Sequence, residues 1–194
     1  MATGSTLTAE PVPVKILVAG GFGVGKTTFV GRVSEIEPLS TEAVITRLSE
    51  GVDDLSGVGG KTTTTVALDY GRRTLPTGYC LYLFGTPGQD RFWFMWDDLV
   101  RGAIGAVVLV DTRRLADSFS AVDFFEHRKV PFLIAVNDFP DAYPYSYDTV
   151  RTALKLAPHV PVTRLDARDG EQCRDTLVAL VNYRLNPAAV PENA

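Results

Sequence analysis

A glycine-rich segment near the amino terminus constrains the fold of this chain more than any other feature. The apolar run at 14–19 is typical of a buried parallel strand, and it leads directly into GGFGVGKT at 20–27. That segment satisfies G-x-x-x-x-G-K-[ST], the pattern of a phosphate-binding loop. Apolar residues then recur at helical spacing, at Phe29, Val30 and Val33. Strand, loop and helix in this order predict a site for a nucleoside di- or triphosphate.

The chemistry of the loop gives its residues distinct expected roles. Glycines let backbone N–H groups turn toward a phosphate, and the positive end of the following helix points at the same anion. Lys26 is expected to reach the β- and γ-phosphates and to serve catalysis, and Thr27 to offer its hydroxyl to Mg²⁺. The predicted phosphate-site residues are Gly20, Gly23, Val24, Gly25, Lys26, Thr27 and Thr28.

Length and composition are those of a soluble globular protein. The chain has 194 residues, of which 45% are hydrophobic, and a net charge of −4, which argues against nonspecific nucleic-acid binding. Cys80 and Cys173 lack metal-ligand spacing and are expected to be reduced thiols in a cytoplasmic protein. There is no signal peptide, no lipidation motif and no apolar run of about 18 residues, so a membrane location is expected only peripherally, through partners.

The rest of the sequence predicts alternating strands and helices. Residues 62–70 and 79–84 are rich in β-branched and aromatic residues, which indicates an antiparallel hairpin. The predicted fold is therefore α/β, with a doubly wound and mostly parallel sheet of six strands that includes one antiparallel edge strand. Periodicity places the further strands at 104–110, 131–136 and 160–165 and the helices at 114–127, 148–156 and 170–185.

Three stretches show no clear strand or helix pattern. Residues 1–12 and 187–194 are expected to be tails that flank a single domain at 13–186. Elements are hard to place within 36–61, and the glycines of 48–60 predict a long loop beside the phosphate site. Long loops in compact domains are commonly functional.

A second motif follows the predicted strand at 79–84 and resembles a known class of proteins. Residues 84–91 have the sequence FGTPGQDR, which resembles the D-T-A-G-Q motif of the Ras-like small GTPases. In that superfamily the glycine senses the γ-phosphate through its N–H and the glutamine positions the attacking water. The resemblance therefore assigns these roles to Gly88 and Gln89. It covers 14–185 and implies a P-loop small G-domain that binds GTP with Mg²⁺.

The motif departs from the superfamily at its first residue, where Gly85 replaces an Asp that binds Mg²⁺ through water. Metal binding is then expected to depend on Thr27 and on a hydroxyl from the threonines at 62–65, since the superfamily places a Thr just before the second strand of its fold. Spacing to Asp69 favours Thr65, with Thr64 as the alternative, and Asp69 is itself a lesser candidate for a water-mediated contact. The predicted metal ligands are Thr27 and Thr65.

The motif that recognises the base also departs from the superfamily. Small GTPases use N-K-x-D after the fifth strand, and here Asn137 matches while Asp138 and Pro140 replace the Lys and the Asp. Asp141 lies one position later and is expected to substitute if the loop bulges. Residues 166–168 resemble the S-A-K motif, whose central N–H meets the guanine oxygen. The predicted base-site residues are Asn137, Asp141, Ala167 and Arg168.

The lack of the Asp points to a bacterial branch, since MglA-type GTPases also lack it and keep P-G-Q. The segments at 61–72 and 81–114 resemble the conservon GTP-binding proteins of bacteria. Both groups work with a roadblock-fold regulator, so the resemblance implies a roadblock/LC7-type partner and, through it, a membrane-associated sensor complex. The aromatic segment RFWFMWDD at 91–98 is expected to pack partly inward and to form a nucleotide-dependent docking surface around Trp93 and Trp96.

Two functions remain open from the sequence. The first is a GTPase switch with slow turnover, because Phe22 occupies a position that is Gly in many small GTPases and crowds Gln89. The second is a nucleotide-binding interaction module with little or no hydrolysis, which Gly85, Phe22 and Pro140 favour. An ATP-dependent phosphotransferase is disfavoured because the sequence has no arginine-rich lid or acceptor site.

Overall fold

The protein is described by a computed structural model that covers residues 10–37, 39–47, 62–88 and 94–186. The predicted tails lie outside these residues, apart from positions 10–12. The strands are β1 (Val12–Ala19), β2 (Leu39–Arg47), β3 (Thr62–Thr74), β4 (Tyr79–Gly85), β5 (Ala103–Val110), β6 (Phe132–Asn137) and β7 (Val162–Leu165). The helices are α1 (Lys26–Val33), α2 (Trp96–Leu99), α3 (Phe119–Arg128), α4 (Tyr147–Ala153) and α5 (Gly170–Leu185), with a 3₁₀ segment at Thr112–Ser118.

One sheet contains these seven strands, in the order β2-β3-β4-β1-β5-β6-β7. The pairs from β4 through β1, β5 and β6 to β7 are parallel, and β3 alone runs against both of its neighbours. The predicted class, a doubly wound and mostly parallel α/β sheet with one antiparallel strand, is confirmed, although that strand lies between β2 and β4 rather than at the edge of the sheet. The seventh strand is Leu39–Arg47, in the stretch where no element was predicted. It forms by long-range pairing with β3, which local sequence pattern does not reveal.

The buried strand β5 separates two hydrophobic cores. Its side chains alternate between them, because successive residues of a strand point to opposite faces. Val107 and Leu109 lie in the core that includes residues of α1 and α5, whereas Ala106, Val108 and Val110 lie in the core that includes residues of α3 and α4. Burial on both faces explains why β5 is a continuous apolar run rather than an alternating one.

The helix predicted at 114–127 begins later than expected. Arg114 adopts non-helical angles (φ −139°, ψ 51°) within the 3₁₀ segment, and α3 starts only at Phe119. The apolar spacing in 114–127 predicts that Phe119 and one or both of Phe124 and Phe125 face inward. Phe119 is instead 37% exposed at the first turn of α3, whereas Phe124 and Phe125 are both buried.

Trp96 belongs to the core. It is 3% exposed, and its ring lies edge-on to Phe124 at 5.1 Å and stacks on Phe125 at 5.8 Å between centroids. The prediction that Trp96 forms a docking surface is therefore wrong, because two aromatic residues of α3 bury it. Trp93 lies outside the described residues, and Phe94 is exposed.

Both cysteines are buried free thiols, which confirms that Cys80 and Cys173 do not form a disulfide. Burial raises the pKa of the Cys173 thiol to about 12, so this side chain stays protonated at neutral pH. Within the part of the chain that the structure describes, no helix has the length and apolarity that a bilayer crossing requires.

Candidate functional site

The phosphate-binding turn lies between the carboxyl end of β1 and the start of α1, as predicted. Gly20 leaves β1 at φ +133° and Gly25 precedes α1 at φ +105°, both in the region that favours glycine. A Cβ on Gly20 would lie 2.3 Å from the backbone oxygen of Leu109. The turn therefore packs directly on the end of β5, at the edge of the sheet where ligands of α/β proteins bind.

Lys26 is folded into this turn. Its Nζ donates hydrogen bonds to the backbone oxygens of Gly20 at 2.9 Å and Gly21 at 2.7 Å, and the residue is 9% exposed. Burial lowers the pKa of Lys26 to about 8, although the nearby carboxylate of Asp69 acts in the opposite direction. Among the described residues this buried ammonium is hydrogen-bonded to carbonyls alone, so it is suited to receive an anion, since a phosphate would supply a counter-charge at hydrogen-bond distance.

Nucleotide affinity is expected to fall as the pH rises above about 8. The protonated form of Lys26 binds phosphate, and a bound phosphate raises the pKa of Lys26 above its free value of about 8. Above that pH, nucleotide binding must therefore take up a proton at Lys26. The affinity then falls by up to about tenfold per pH unit, until the pH reaches the pKa that Lys26 has in the complex. Below pH 8 this group adds no pH dependence.

Titration calorimetry in two buffers of different ionisation enthalpy measures this proton directly. Binding at pH 9 should take up a substantial fraction of one proton, and binding at pH 7 should take up almost none at this group. Equal proton uptake at both values would contradict the assignment.

Thr27 and Asp69 form a second polar pair beside the turn. The Thr27 hydroxyl, in the first turn of α1, donates to Oδ2 of Asp69 on β3 at 2.7 Å. A hydroxyl and a carboxylate are oxygen ligands that Mg²⁺ accepts in proteins, usually together with phosphates of the substrate. These two residues therefore fit a magnesium ion at the phosphate site.

The side chain of Thr65, the predicted second metal ligand, lies outside the described part of the structure, and only its backbone pairing is given. β3 is continuous from Thr62 to Thr74, and Thr65 pairs with Val44 of β2. Asp69 is four residues farther along the strand, which at about 3.3 Å per residue separates the two Cα atoms by roughly 13 Å. The residue that reaches Thr27 is the lesser candidate, Asp69, and a role for Thr65 would require β3 to change its path.

Gly88 approaches the phosphate loop closely. A Cβ built on Gly88 would lie 2.7 Å from Nζ of Lys26 and 3.0 Å from the backbone nitrogen of Phe22. Both separations are too short for a side chain, so glycine lets the backbone at position 88 pass close to these two nitrogens. The motif after β4 therefore passes over the point where the loop presents two of its donors. Gln89, the predicted catalytic residue, lies outside the described residues.

Asn137 connects the phosphate loop to two other loops. It ends β6, is 4% exposed, and donates through Nδ2 to the backbone oxygen of Val24 at 2.9 Å. Its Oδ1 accepts a hydrogen bond from the backbone N–H of Ala167, after β7, at 2.9 Å. The structure thus places Asn137 beside the phosphate loop, but the Ala167 N–H that was expected to meet a guanine oxygen is donated to Asn137.

Neighbouring charges near the predicted base site are paired with each other. Arg168 forms a two-pronged contact with Asp166, with Nε 2.9 Å from Oδ1 and Nη2 2.7 Å from Oδ2. Asp138 lies 3.4 Å from a guanidinium nitrogen of Arg164. Asp166 therefore holds the Arg168 side chain against its own loop. To contact a nucleotide as predicted, that side chain would have to break its ion pair with Asp166.

Asp141 is exposed in a short turn after β6. The turn is closed by a hydrogen bond from the Ala142 N–H to the Phe139 carbonyl, at 3.0 Å. The guanidinium of Arg113 lies over the Phe139 ring, 4.0 Å from its centroid. This cation–aromatic pair lies next to Asp141 and was not predicted from the sequence.

Arg113 and Arg114, directly after β5, lie beside the phosphate loop and the loop after β6, and they were not predicted from the sequence. Arg113 binds the buried carboxylate of Asp111 with Nε at 3.0 Å and Nη2 at 2.9 Å. Burial tends to raise the pKa of Asp111, but the hydrogen bonds from Arg113 outweigh it and hold that pKa below its usual range. Nη2 of Arg114 donates to the backbone oxygen of Phe22 in the phosphate loop at 2.8 Å. The sequence D-T-R-R, directly after a buried strand, could have indicated these two arginines.

The fold and these loops define a P-loop protein with the architecture of a small G-domain. Residues 18–187 match the family described as conserved hypothetical ATP binding protein. The chain belongs to this family.

One curated protein is similar to this chain in sequence, and two solved structures are similar to it in fold. An uncharacterized protein of Methanocaldococcus jannaschii is 30% identical over 126 residues, which are 64% of this chain and 69% of that protein. The FeoB G-domain of Methanococcus jannaschii superposes with a TM-score of 0.58 at 16% identity, covering 88% of this chain and 99% of that one. The G domain of the T. maritima FeoB iron transporter gives 0.61 at 20% identity, covering 88% and 98%. These two structures share the fold.

Proposed function

We propose that this protein is a GTP-binding molecular switch that slowly hydrolyses GTP to GDP. The observation that carries the proposal is the buried hydrogen bond from Asn137 to the backbone oxygen of Val24, which holds the loop after β6 against the phosphate loop. In the small GTPases that the sequence resembles, these loops hold the phosphates and the guanine. The G-domain architecture supports the proposal, and one related structure, the cytosolic domain of T. maritima FeoB, is described as a GDP form.

The residues of the phosphate loop would perform the binding. Lys26 and the backbone N–H groups of the turn would hold the β- and γ-phosphates, and Thr27 would hold Mg²⁺, which when bound neutralises charge on those phosphates. Gly88 would sense the γ-phosphate from its place over the loop, and Gln89 would orient the attacking water. Loss of the γ-phosphate would release the motif after β4, which is the general mechanism of a nucleotide switch.

Slow turnover and a regulatory partner are parts of the same proposal. Phe22 is 68% exposed next to the point that Gly88 covers, so its ring would crowd the glutamine and any incoming residue. By resemblance to the MglA-type and conservon proteins, a roadblock/LC7-type regulator would accelerate hydrolysis by ordering the switch segments. A membrane-associated sensor complex would be reached through that regulator. Phe94, just before α2, is also exposed, which supports an interaction surface in the segment that follows the motif after β4.

A second function, a nucleotide-binding interaction module with little or no hydrolysis, is favoured by one observation. The Ala167 N–H that would meet a guanine oxygen is donated to Asn137. A base site without its N–H and without the usual carboxylate at Pro140 would discriminate poorly between purines. The family description, which names ATP, is consistent with such relaxed base recognition.

Single-turnover phosphate release from GTP separates the two functions. Wild-type protein is expected to release phosphate at a rate on the order of 10⁻⁴ s⁻¹ without a partner, as small GTPases do. Gln89→Leu should reduce this rate at least tenfold without weakening GTP binding. If wild type binds GTP but releases no phosphate above background, with or without a roadblock-type partner, the interaction module is the correct function.

A further inference from the structure

We infer that Asp69, on β3, supplies the metal-binding carboxylate that the motif after β4 lacks at Gly85. The inference rests on the proposed function, because it concerns the Mg²⁺ that would accompany a nucleotide. It assigns the ion to Thr27 and Asp69 rather than to Thr27 and Thr65.

A side chain at position 85 would occupy the same space as the side chain of Asp69. Tyr70 pairs with Phe84 at the end of the antiparallel ladder between β3 and β4, which places Asp69 next to Gly85 in the same register. A Cβ on Gly85 would lie 3.0 Å from Cβ and 3.1 Å from Oδ2 of Asp69. Both separations are shorter than ordinary contacts, so a side chain at position 85 would displace the carboxylate of Asp69. Glycine at 85 leaves room for an acid on the neighbouring strand.

The carboxylate of Asp69 meets the groups that serve the phosphate. Its Oδ2 accepts a hydrogen bond from the Thr27 hydroxyl at 2.7 Å, and its charge counteracts the effect of burial on the pKa of Lys26. P-loop proteins hold Mg²⁺ between the loop Ser/Thr hydroxyl and a carboxylate that follows a later strand. Here the hydroxyl has a carboxylate partner already, and that partner comes from β3.

A metal-binding carboxylate on β3 instead of β4 is attached to a different part of the sheet. Residues 70–74 of β3 pair with β4, whereas residues 62–70 pair with β2. Asp69 is therefore at the point where β3 passes beyond β4 and is paired only with β2. The metal ligand would move with the β2–β3 pair, whereas a carboxylate at position 85 would stay fixed on β4. Metal binding would in this way depend on the conformation of the β2–β3 edge.

The test is a carboxylate swap, read as the ratio of fluorescent GDP affinity with excess Mg²⁺ to that with EDTA. Fluorescent ADP replaces GDP if adenine is the preferred base. In Asp69→Asn, which keeps a hydrogen-bond acceptor for Thr27 but removes the charge, the Mg²⁺-dependent gain in affinity should fall at least tenfold. Its affinity in EDTA should not fall, because the removed group is negative. The double variant Asp69→Gly/Gly85→Asp should restore the gain to within about threefold of wild type, as expected for a ligand moved to the standard strand.

Two controls make the result decisive. Gly85→Asp alone places two carboxylates in one space and should lower the melting temperature, and the double variant should recover it. Direct Mn²⁺ binding, followed by electron paramagnetic resonance, reports the metal without any turnover. If Asp69→Asn keeps the full Mg²⁺-dependent gain, or if wild type binds nucleotide with no such gain, the inference is wrong while nucleotide binding stands. If wild type binds neither GDP nor ADP under any condition, the proposed function fails with it.

Discussion

A Lys26→Met variant is expected to lose affinity for nucleotide by a factor of about 100 or more, since each hydrogen bond to a charged group contributes about 1.5–3 kcal/mol. The ammonium is buried in the phosphate loop and is bonded only to the carbonyls of Gly20 and Gly21. It thus has no fixed partner of opposite charge at hydrogen-bond distance among the described residues. Methionine has a similar length and restores neither the charge nor the donors. Equilibrium titration with a fluorescent nucleotide measures the loss.

In the absence of nucleotide, Lys26→Met should be close to wild type in stability, because removal of a buried charge offsets the loss of the hydrogen bonds to the carbonyls of Gly20 and Gly21. Burial lowers the pKa of Lys26, which means that the folded state carries the charge at a cost that an apolar side chain avoids. A lower nucleotide affinity together with an unchanged or higher melting temperature would separate a binding role from a structural one.

Lys15→Met is the matched control for this substitution. Lys15 is on β1, and its Nζ likewise donates to a backbone oxygen, that of Arg101 before β5, at 3.0 Å. Parallel strands place the start of β1 at the edge of the sheet opposite the phosphate loop. Its removal should leave nucleotide affinity within about twofold. If Lys26→Met binds as tightly as Lys15→Met, the glycine-rich turn is not a phosphate site.

An Asn137→Ala variant is expected to lose about 2–4 kcal/mol of stability, since it leaves two buried backbone groups unsatisfied at about 1–3 kcal/mol each. The groups are the carbonyl of Val24 and the N–H of Ala167, both in buried residues. For a domain of this size the melting temperature should fall by roughly 5–15 °C. Nucleotide affinity should fall as well, because the loops after β6 and β7 would no longer be tied to the phosphate loop.

Asn137→Asp isolates one of the two bonds. It keeps the acceptor for Ala167 but turns the donor to Val24 into a second acceptor that faces a carbonyl. Its affinity should fall below that of wild type at all pH values where the carboxylate is ionised. Asn182→Ala is the control, because Asn182 is exposed on α5 and should be neutral within about 0.5 kcal/mol. Asn137→Ala and Asn182→Ala with equal melting temperatures would contradict the bridge.

The sequence predicted the features of the fold that depend on local pattern. The phosphate loop, the buried strand β5 and the bounds of α5 at 170–185 follow from short-range chemistry and periodicity, and the structure has them where expected. The strand β2 could not be placed, because its identity as a strand depends on pairing with β3, which lies farther along the chain. The late start of α3 depends on a kink at Arg114 that carries no Gly or Pro signal.

The site shows the same division between local and long-range information. Lys26, Thr27 and Asn137 were predicted from motifs whose spacing reflects a fixed local geometry. The choice between Thr65 and Asp69 could not be made from the sequence, because it depends on the register of β3 against β4, and a shift of four residues moves a side chain about 13 Å. The engagement of the Ala167 N–H by Asn137 likewise involves two loops that are 30 positions apart in the chain.

The most direct measurement is a titration of the purified chain with fluorescent GDP, GTP and ATP in the presence of Mg²⁺. A guanine-nucleotide switch should bind GDP and GTP at least tenfold more tightly than ATP, and all three should lose affinity in Lys26→Met. Tight binding of ATP that equals or exceeds that of GTP would contradict guanine recognition and favour the interaction module. The absence of binding to any of the three nucleotides would contradict the assignment of the phosphate loop itself.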